Sequence, residues 1–487
     1  MPMTLLLPLL VPLFGSFLVL FCKAPRHAIR VALAIGTLEL MAIANVVRVI
    51  HLVEGGIQVG QYLRADGLTS FFLVNIGVVF GLVLVYSVGY LRHIPKGRFS
   101  SPRWFFALLF LSLFTMIAVY VSANLGLMWI CVEATTLASA LLVGFYNTEG
   151  AVEAGWKYLI VCTVGIAFAL FGTITLYLAA VRSGVPPDLA LNWYTLMAAA
   201  PRFAGAADLV KIAFVFVIVG YGTKVGFVPM HSWLPDAHAE APSPISAMLS
   251  AVLLNCAFYA LLRFDAITSR ALGSGFPHLL LLIFGSLSVV VAALLMLVQR
   301  DLKRLLAYSS IEHMGLIALG VGIGGTFGLY GALLHAFNHS IAKAMLFFTA
   351  GNVRENFSTL RMEKIRGMAR SLPLTSTALV LGSLAIVGMP PFGLFISEFF
   401  ILSAAFSTGN YQIAALVLVS LSVVFGALLY HFQGMLTGDP VTPPTHPRWP
   451  WSEYVVMGVC VASLLALGIH VPVVLTKLLH VAMGVLQ

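Results

Sequence analysis

About fourteen apolar runs, each near twenty residues long, constrain this chain more than any other feature. They begin near Met3, Ala28, Leu68, Trp104, Ser122, Trp156, Asp208, Ser243, His278, Asp301, Thr326, Leu372, Asn410 and Trp451. About twenty helical residues cover the hydrocarbon core of a bilayer. Lipid offers the peptide groups no partners, so such segments close their hydrogen bonds internally as α-helices. The expected fold class is therefore an all-α polytopic membrane protein. Composition excludes a soluble alternative: 60% of the residues are hydrophobic and 9% are charged, whereas a soluble chain carries about a quarter charged. The first run, Met3 to Cys22, has no basic segment before it and is long enough to span, so it reads as a helix rather than a cleavable signal.

The net charge of +9 is spread over short loops. That suits positive-inside topology better than a nucleic-acid surface, and no nucleic-acid partner is expected. The odd-numbered loops hold most of the basic residues: Lys23, Arg26 and Arg30; Arg92, Lys96, Arg98 and Arg103; Arg300, Lys303 and Arg304; Arg354, Arg361, Lys364, Arg366 and Arg370. This places those loops in the cytoplasm and both termini on the opposite side. Cys22, Cys131, Cys162, Cys256 and Cys460 form no C-x-x-C pair, which argues against an iron–sulfur or zinc site and against a disulfide framework. The segment from Val53 to Gly67 alternates around a Gly-Gly pair and reads as a small external hairpin. "RENFSTLRMEKIRGMARSLP" sets Leu360, Ile365 and Met368 among charges, as an interfacial helix would. "TGDPVTPPTHPRWP" is a proline-rich loop.

Two runs are interrupted. The seventh reads "KVGFVPMHSW", with its charge just before Pro229; the twelfth reads "VGMPPFGLFISEFF", with Pro390 and Pro391 just before its charge. This mirrored order is what an inverted-topology repeat with broken helices produces. The expected organisation is a three-helix segment with the hairpin over 1–103, a first five-helix repeat over 104–265, and an inverted second over 278–436. The proline-rich loop and a last helix fill 437–487.

A charge at mid-membrane costs at least about 2.5–3.5 kcal/mol on insertion scales, so it defaults to a functional candidate facing the protein interior. Glu133 lies deep in the fifth run, Lys224 precedes the break at Pro229, His231 lies in the break, and Glu398 follows the break at Pro390 and Pro391. His335, His339 and Lys343 recur every fourth residue and share one helix face. Lys157, about one turn from the membrane edge, reads equally as a functional group or as a snorkelling side chain. Glu153 and Lys211 read as solvated. Lysine and imidazole are poor ligands for alkali cations. They can pass protons, because burial disfavours a lysine's charge and a nearby carboxylate restores it. The alternative for each buried group is a structural ion pair, which adds little stability.

These blocks resemble a known family. "KVGFVPMHSWLPDAHAEAPSPISAML", "DLKRLLAYSSIEHMG", "HAFNHSIAKAMLFFTAGN" and "GMPPFGLFISEFFIL" resemble, in that order, the antiporter-like proton-translocating subunits of respiratory complex I and Mrp antiporters; the resemblance covers roughly 104–436. "EAGWKYLIVCTVGIAFALFGT", "MLSAVLLNCAFYALLRF" and "SSIEHMG" look closest to the F-type membrane subunit of hydrogenase-4 and formate hydrogenlyase. The resemblance implies fourteen helices with the seventh and twelfth broken. It also implies a proton pathway through Glu133, Lys224, His339, Lys343 and Glu398, to which the sequence adds Lys157, His231 and His335. Asn255 stands where complex I relatives often have lysine or histidine, so either water held by Asn255 bridges to His335 or the coupling is weakened or lost.

The implied role is a non-catalytic translocating subunit of an oxidoreductase complex in a bacterial or archaeal inner membrane. It would carry no cofactor or metal itself. Nickel–iron and iron–sulfur centres would sit in peripheral hydrogenase subunits, beside other antiporter-like and small membrane subunits and lipid. An Mrp-type cation/proton antiporter subunit and a non-conducting hydrogenase scaffold are the alternatives.

Overall fold

The computed structural model describes residues 2–53, 56–92, 101–439 and 451–487. Apart from one small hairpin, β1 (Ile57–Val59) paired antiparallel with β2 (Leu63–Ala65), its regular structure is helical. The helices are α1 (Pro2–Leu20), α2 (Pro25–Leu52), α3 (Gly67–Tyr90), α4 (Pro102–Val121), α5 (Leu125–Val143), α6 (Glu149–Arg182), α7 (Trp193–Ala199), α8 (Ala207–Val225), α9 (Trp233–Glu240) and α10 (Ser243–Met248). They continue as α11 (Leu254–Leu272), α12 (Gly275–Leu297), α13 (Leu302–Ile323), α14 (Gly325–Phe357), α15 (Met368–Ser371), α16 (Pro373–Ile386), α17 (Gly393–Ser407), α18 (Tyr411–Leu436), α19 (Trp451–Ile469) and α20 (Val473–Leu486). Among the described residues, twelve helical stretches are long and apolar enough to cross a membrane; α16, α17 and α20 are shorter apolar helices. The polar residues of the 33-residue α14 keep it outside the twelve.

Local signals set the helix ends. Asp66, Asn124, Thr148 and Asp301 cap α3, α5, α6 and α13 by accepting from backbone N–H groups in the first turn. Small residues let helices approach. A methyl on Gly172 of α6 would lie 2.7 Å from the Ala213 carbonyl of α8, and one on Gly285 of α12 would lie 2.9 Å from the Gly315 carbonyl of α13. Close backbone contact replaces the hydrophobic drive that is absent between helices in lipid.

Both expected breaks are present. The seventh run ends as α8 at Val225, and Gly226 turns left-handed at φ 88° before α9 begins at Trp233. The twelfth divides into α16 and α17, with Gly388 at φ 66° between them. Val228–Pro229 and Pro390–Pro391 are cis peptides. Side chains from neighbouring segments pin both breaks: the Trp233 indole donates to Thr223 O in the last turn of α8 at 2.8 Å, and the Asn338 amide donates to Gly393 O at the start of α17 at 2.7 Å.

Other expectations differ. The hairpin turns at 60–62, not at the Gly-Gly pair. The segment 358–371 is not one interfacial helix, because Ser358 and Gly367 take left-handed conformations. Leu360 accepts from Leu302 N, Met362 N donates to Arg300 O, and Leu360, Ile365 and Met368 are buried in the core. A helix, α20, follows α19, and α7 with a short 3-10 turn precedes α8. Lys96, Arg98 and most of the proline-rich loop lie outside the described residues.

Candidate functional site

Two polar regions lie inside the bundle. In the first, Lys224 near the end of α8 is buried, and its Nζ donates to Thr136 Oγ1 at 2.7 Å and to the Tyr158 hydroxyl at 2.6 Å. Tyr158 in turn lies 2.7 Å from Ser139 Oγ. The physical reason is the position of α6, which packs against both α5 and α8 and brings Tyr158 to the lysine. Glu133, one turn from Thr136 on the same face of α5, accepts from Thr163 Oγ1 at 2.6 Å. No ion pair joins Glu133 to Lys224 among the described residues; one turn of α5 separates glutamate from lysine contact.

Lys157 lies apart from this region. Half exposed, it pairs with Glu153 at 2.6 Å and with Asp236 at 3.5 Å, and Asp236 also holds Arg304 at 2.8 Å. The geometry is that of a surface network. His231 lies in the break, partly buried, with its ring 6.3 Å from Tyr308 and apart from Lys224's hydrogen bonds.

In the second region, α13, α14 and α17 converge. His335 Nε2 lies 2.9 Å from His313 Nδ1, and His335 Nδ1 lies 3.0 Å from Ser397 Oγ. The His339 ring is 5.2 Å from that of His313. Glu398 completes the group: one ligand atom each from His313, His335 and Glu398 lie within 4.8 Å of one another. These three could hold a cation, but the imidazoles are already bonded to each other and to a hydroxyl, as a proton-passing chain requires. Lys343, one turn beyond His339, donates to Leu306 O at 2.9 Å.

Six polar atoms here have no hydrogen-bond partner: Glu312 Oε1 and Oε2, His313 Nε2, His339 Nδ1 and Nε2, and Glu398 Oε1. Glu312 Oε2 lies 3.3 Å from His313 Nε2, close but not aligned for a bond. These titratable atoms make no hydrogen bond to protein groups and are open to water or to one another.

Between the regions lies Asn255, just after a π-helical turn at Leu249–Leu253. Its amide donates to Ala251 O at 2.8 Å and to Ser340 Oγ on α14 at 3.2 Å, and its Oδ1 is unpaired. Ser250 and Ser310 hydroxyls meet at 2.7 Å nearby. Amide and hydroxyl groups, not titratable ones, therefore tie α11 to α14 beside the second region. The structure thus gathers His335, His339 and Glu398 into one cluster and places Lys343 on the same helix face.

Glu312 and His313 were not singled out from the sequence. Their signal was two adjacent titratable residues mid-way along an apolar run. Lys303, counted among loop charges, is fully buried and donates to Ala241 O at 2.5 Å. Arg263 forms a buried, two-pronged pair with Asp66, at 2.8 Å and 2.6 Å.

The family described as NADH:quinone oxidoreductase/Mrp antiporter, transmembrane, matches residues 122–426. A hydrogenase-4 component F homolog of Methylacidiphilum infernorum (isolate V4) is 40% identical over 420 residues, 85% of this chain and 86% of that one. A chain of the membrane-bound sulfane sulfur reductase, an archaeal respiratory membrane complex, superposes with a TM-score of 0.88 at 25% identity, covering 100% of this chain and 98% of that one. A chain of the Mrp complex from Dietzia sp. DQ12-45-1b gives 0.86 at 19% identity with the same coverage, a likeness of fold. The chain belongs to the family of antiporter-like membrane subunits shared by NADH:quinone oxidoreductases and Mrp antiporters.

Proposed function

We propose that the chain moves protons as a membrane subunit of a redox-driven complex of the nickel–iron hydrogenase or formate hydrogenlyase type. The observation that carries translocation is the buried run from Ser397 through His335 to His313, beside Glu398. An imidazole accepts a proton at one nitrogen and releases one from the other, so two bonded rings pass protons without moving heavy atoms far. Lys343 extends this run along α14. Asn255 and Ser340 connect it towards Lys224, which exchanges protons with Tyr158 and, through one turn of α5, with Glu133. Proton transfer between the halves then needs water to relay past Asn255. The breaks at Pro229 and at Pro390 and Pro391 let the local backbone rearrange as charge moves.

The hydrogenase assignment rests on the component F homolog. Nickel–iron and iron–sulfur centres are placed in partner subunits; the five cysteines here are free and lie on separate segments. The chain would sit in a bacterial or archaeal inner membrane, with both termini on the non-cytoplasmic side and two inverted repeats over 104–265 and 278–436. The Mrp-like fold favours a second reading, a subunit of a cation/proton antiporter.

Purification of the tagged chain from its native membrane tests the assignment. Co-purifying hydrogenase polypeptides with nickel and iron are expected. Small hydrophobic antiporter subunits with neither metal would replace this reading with the second.

A further inference from the structure

Two hollows lie along one seam, between α12 and α18. The first, about 580 Å³, sits where both helices end, and its lining includes Leu297, Val298, Arg300, Arg366, Tyr430 and His431. The second, about 320 Å³, lies deeper on the same two helices, and its lining includes Val290, Ala293, Leu294, Ala415, Val419 and Ser420. Residue numbers rise towards the first hollow on both helices. From Val423 to Tyr430 the step along α18 is about 10 Å at 1.5 Å per residue. The small side chains of Ala293, Ala415 and Ser420 open the deeper groove.

Charge and depth distinguish the two. The outer hollow holds two guanidinium groups against one carboxylate: Arg300 lies 3.8 Å from Glu363 Oε1, a loose contact, and the exposed Arg366 has no ion pair among the described residues. His431 is committed to Met296 O at 3.1 Å. Val298 and Tyr430 stand 69% and 75% exposed at the helix ends, where aromatic and apolar residues meet the lipid interface. The deeper groove has only apolar side chains and one serine.

We infer that this seam binds an anionic phospholipid, its phosphate between Arg300 and Arg366 and one acyl chain in the groove beside Ala293 and Ala415. Guanidinium groups match phosphate oxygens in forked geometry, and basic pockets between transmembrane helices select anionic headgroups. A zwitterionic lipid brings its own ammonium to a site that already carries positive charge. A free phosphate shares the headgroup chemistry but gains nothing from the groove.

The purified complex, reconstituted in phosphatidylcholine nanodiscs, is supplied with phosphatidylglycerol carrying a diazirine in one acyl chain, and the labelled peptides are mapped after illumination. Label is expected on 290–297 and 415–423. Arg300→Gln with Arg366→Gln is expected to lower it about tenfold, and Ala415→Phe is expected to remove it with both arginines intact. Size-exclusion chromatography confirms that each variant complex is assembled. Diazirine phosphatidylcholine should label no better than the double variant, and excess inorganic phosphate should not compete. Equal labelling by the two lipids, undiminished labelling of the double variant, or displacement by phosphate would each overturn the assignment, the last giving the site to a free anion.

Discussion

His313 and His335 share one hydrogen bond of 2.9 Å, although they lie 22 positions apart on two successive helices. Only one ring can hold the bridging proton, so the tautomer of each ring fixes that of the other. His335 passes the constraint on to Ser397, the neighbour of Glu398 in sequence. The pair acts as a unit.

Substituting either ring should therefore have the same effect. His335→Leu and His313→Leu are each expected to lower proton translocation on the order of a hundredfold, the scale of a lost positioned acid–base group. The double variant should be no worse than either single one. Proton uptake by proteoliposomes measures all three, and additive losses would separate the rings.

Tyr158→Phe removes one of the two acceptors held by Lys224 Nζ. A hydrogen bond to a charged group contributes about 1.5–3 kcal/mol. Denaturation of the purified chain should show a loss in that range, and Lys224→Met with Tyr158→Phe should recover part of it.

Glu398 is positioned by a glycine. A methyl group on Gly388 would overlap Glu398 Oε2, and its φ of 66° already disfavours any side chain. Gly388→Ala is expected to displace the carboxylate and abolish translocation while the complex still assembles. Proton uptake compared with subunit content distinguishes this from simple loss of the protein.

Asp66 lies at the membrane edge, capping α3 and gripping Arg263. Burial alone raises its carboxyl, but the Arg263 charge, with hydrogen bonds from Arg263 and Thr69, holds it below the usual carboxylate value. A lowered folded-state value means that the stabilisation is complete above the ordinary carboxylate range. It is lost as pH falls through the lowered value. Removing one partner of such a pair costs about 3–5 kcal/mol. Asp66→Asn should melt at a lower temperature than the wild type at neutral pH, and the gap should narrow in acid. A gap independent of pH would contradict the linkage.

The sequence carried the parts of this architecture that depend on local pattern. Apolar runs, the prolines at 229, 390 and 391, and the four-residue spacing of His335, His339 and Lys343 all belong to single segments. What it hid depends on segments that meet only in the fold. Arg263 and Asp66 are 197 positions apart, and nothing near either announces the other. Lys303 looked like one more loop charge, yet it folds inward to the Ala241 carbonyl. Lys224 meets Thr136 and Tyr158 rather than the Glu133 carboxylate, because α6 is packed against both α5 and α8 and brings Tyr158 between them. The interfacial helix failed for a local reason: Ser358 and Gly367 turn left-handed and divert the backbone to pair near Arg300 and Leu302.

The central claim is that protons cross this subunit through its buried lysine, histidine and glutamate side chains. The most direct measurement is proton uptake by proteoliposomes holding the intact complex, with redox turnover followed in the same sample. For Lys224→Ala and for Glu398→Gln, the account predicts continuing electron transfer with uptake lost. Uptake at the wild-type rate in both variants would contradict it.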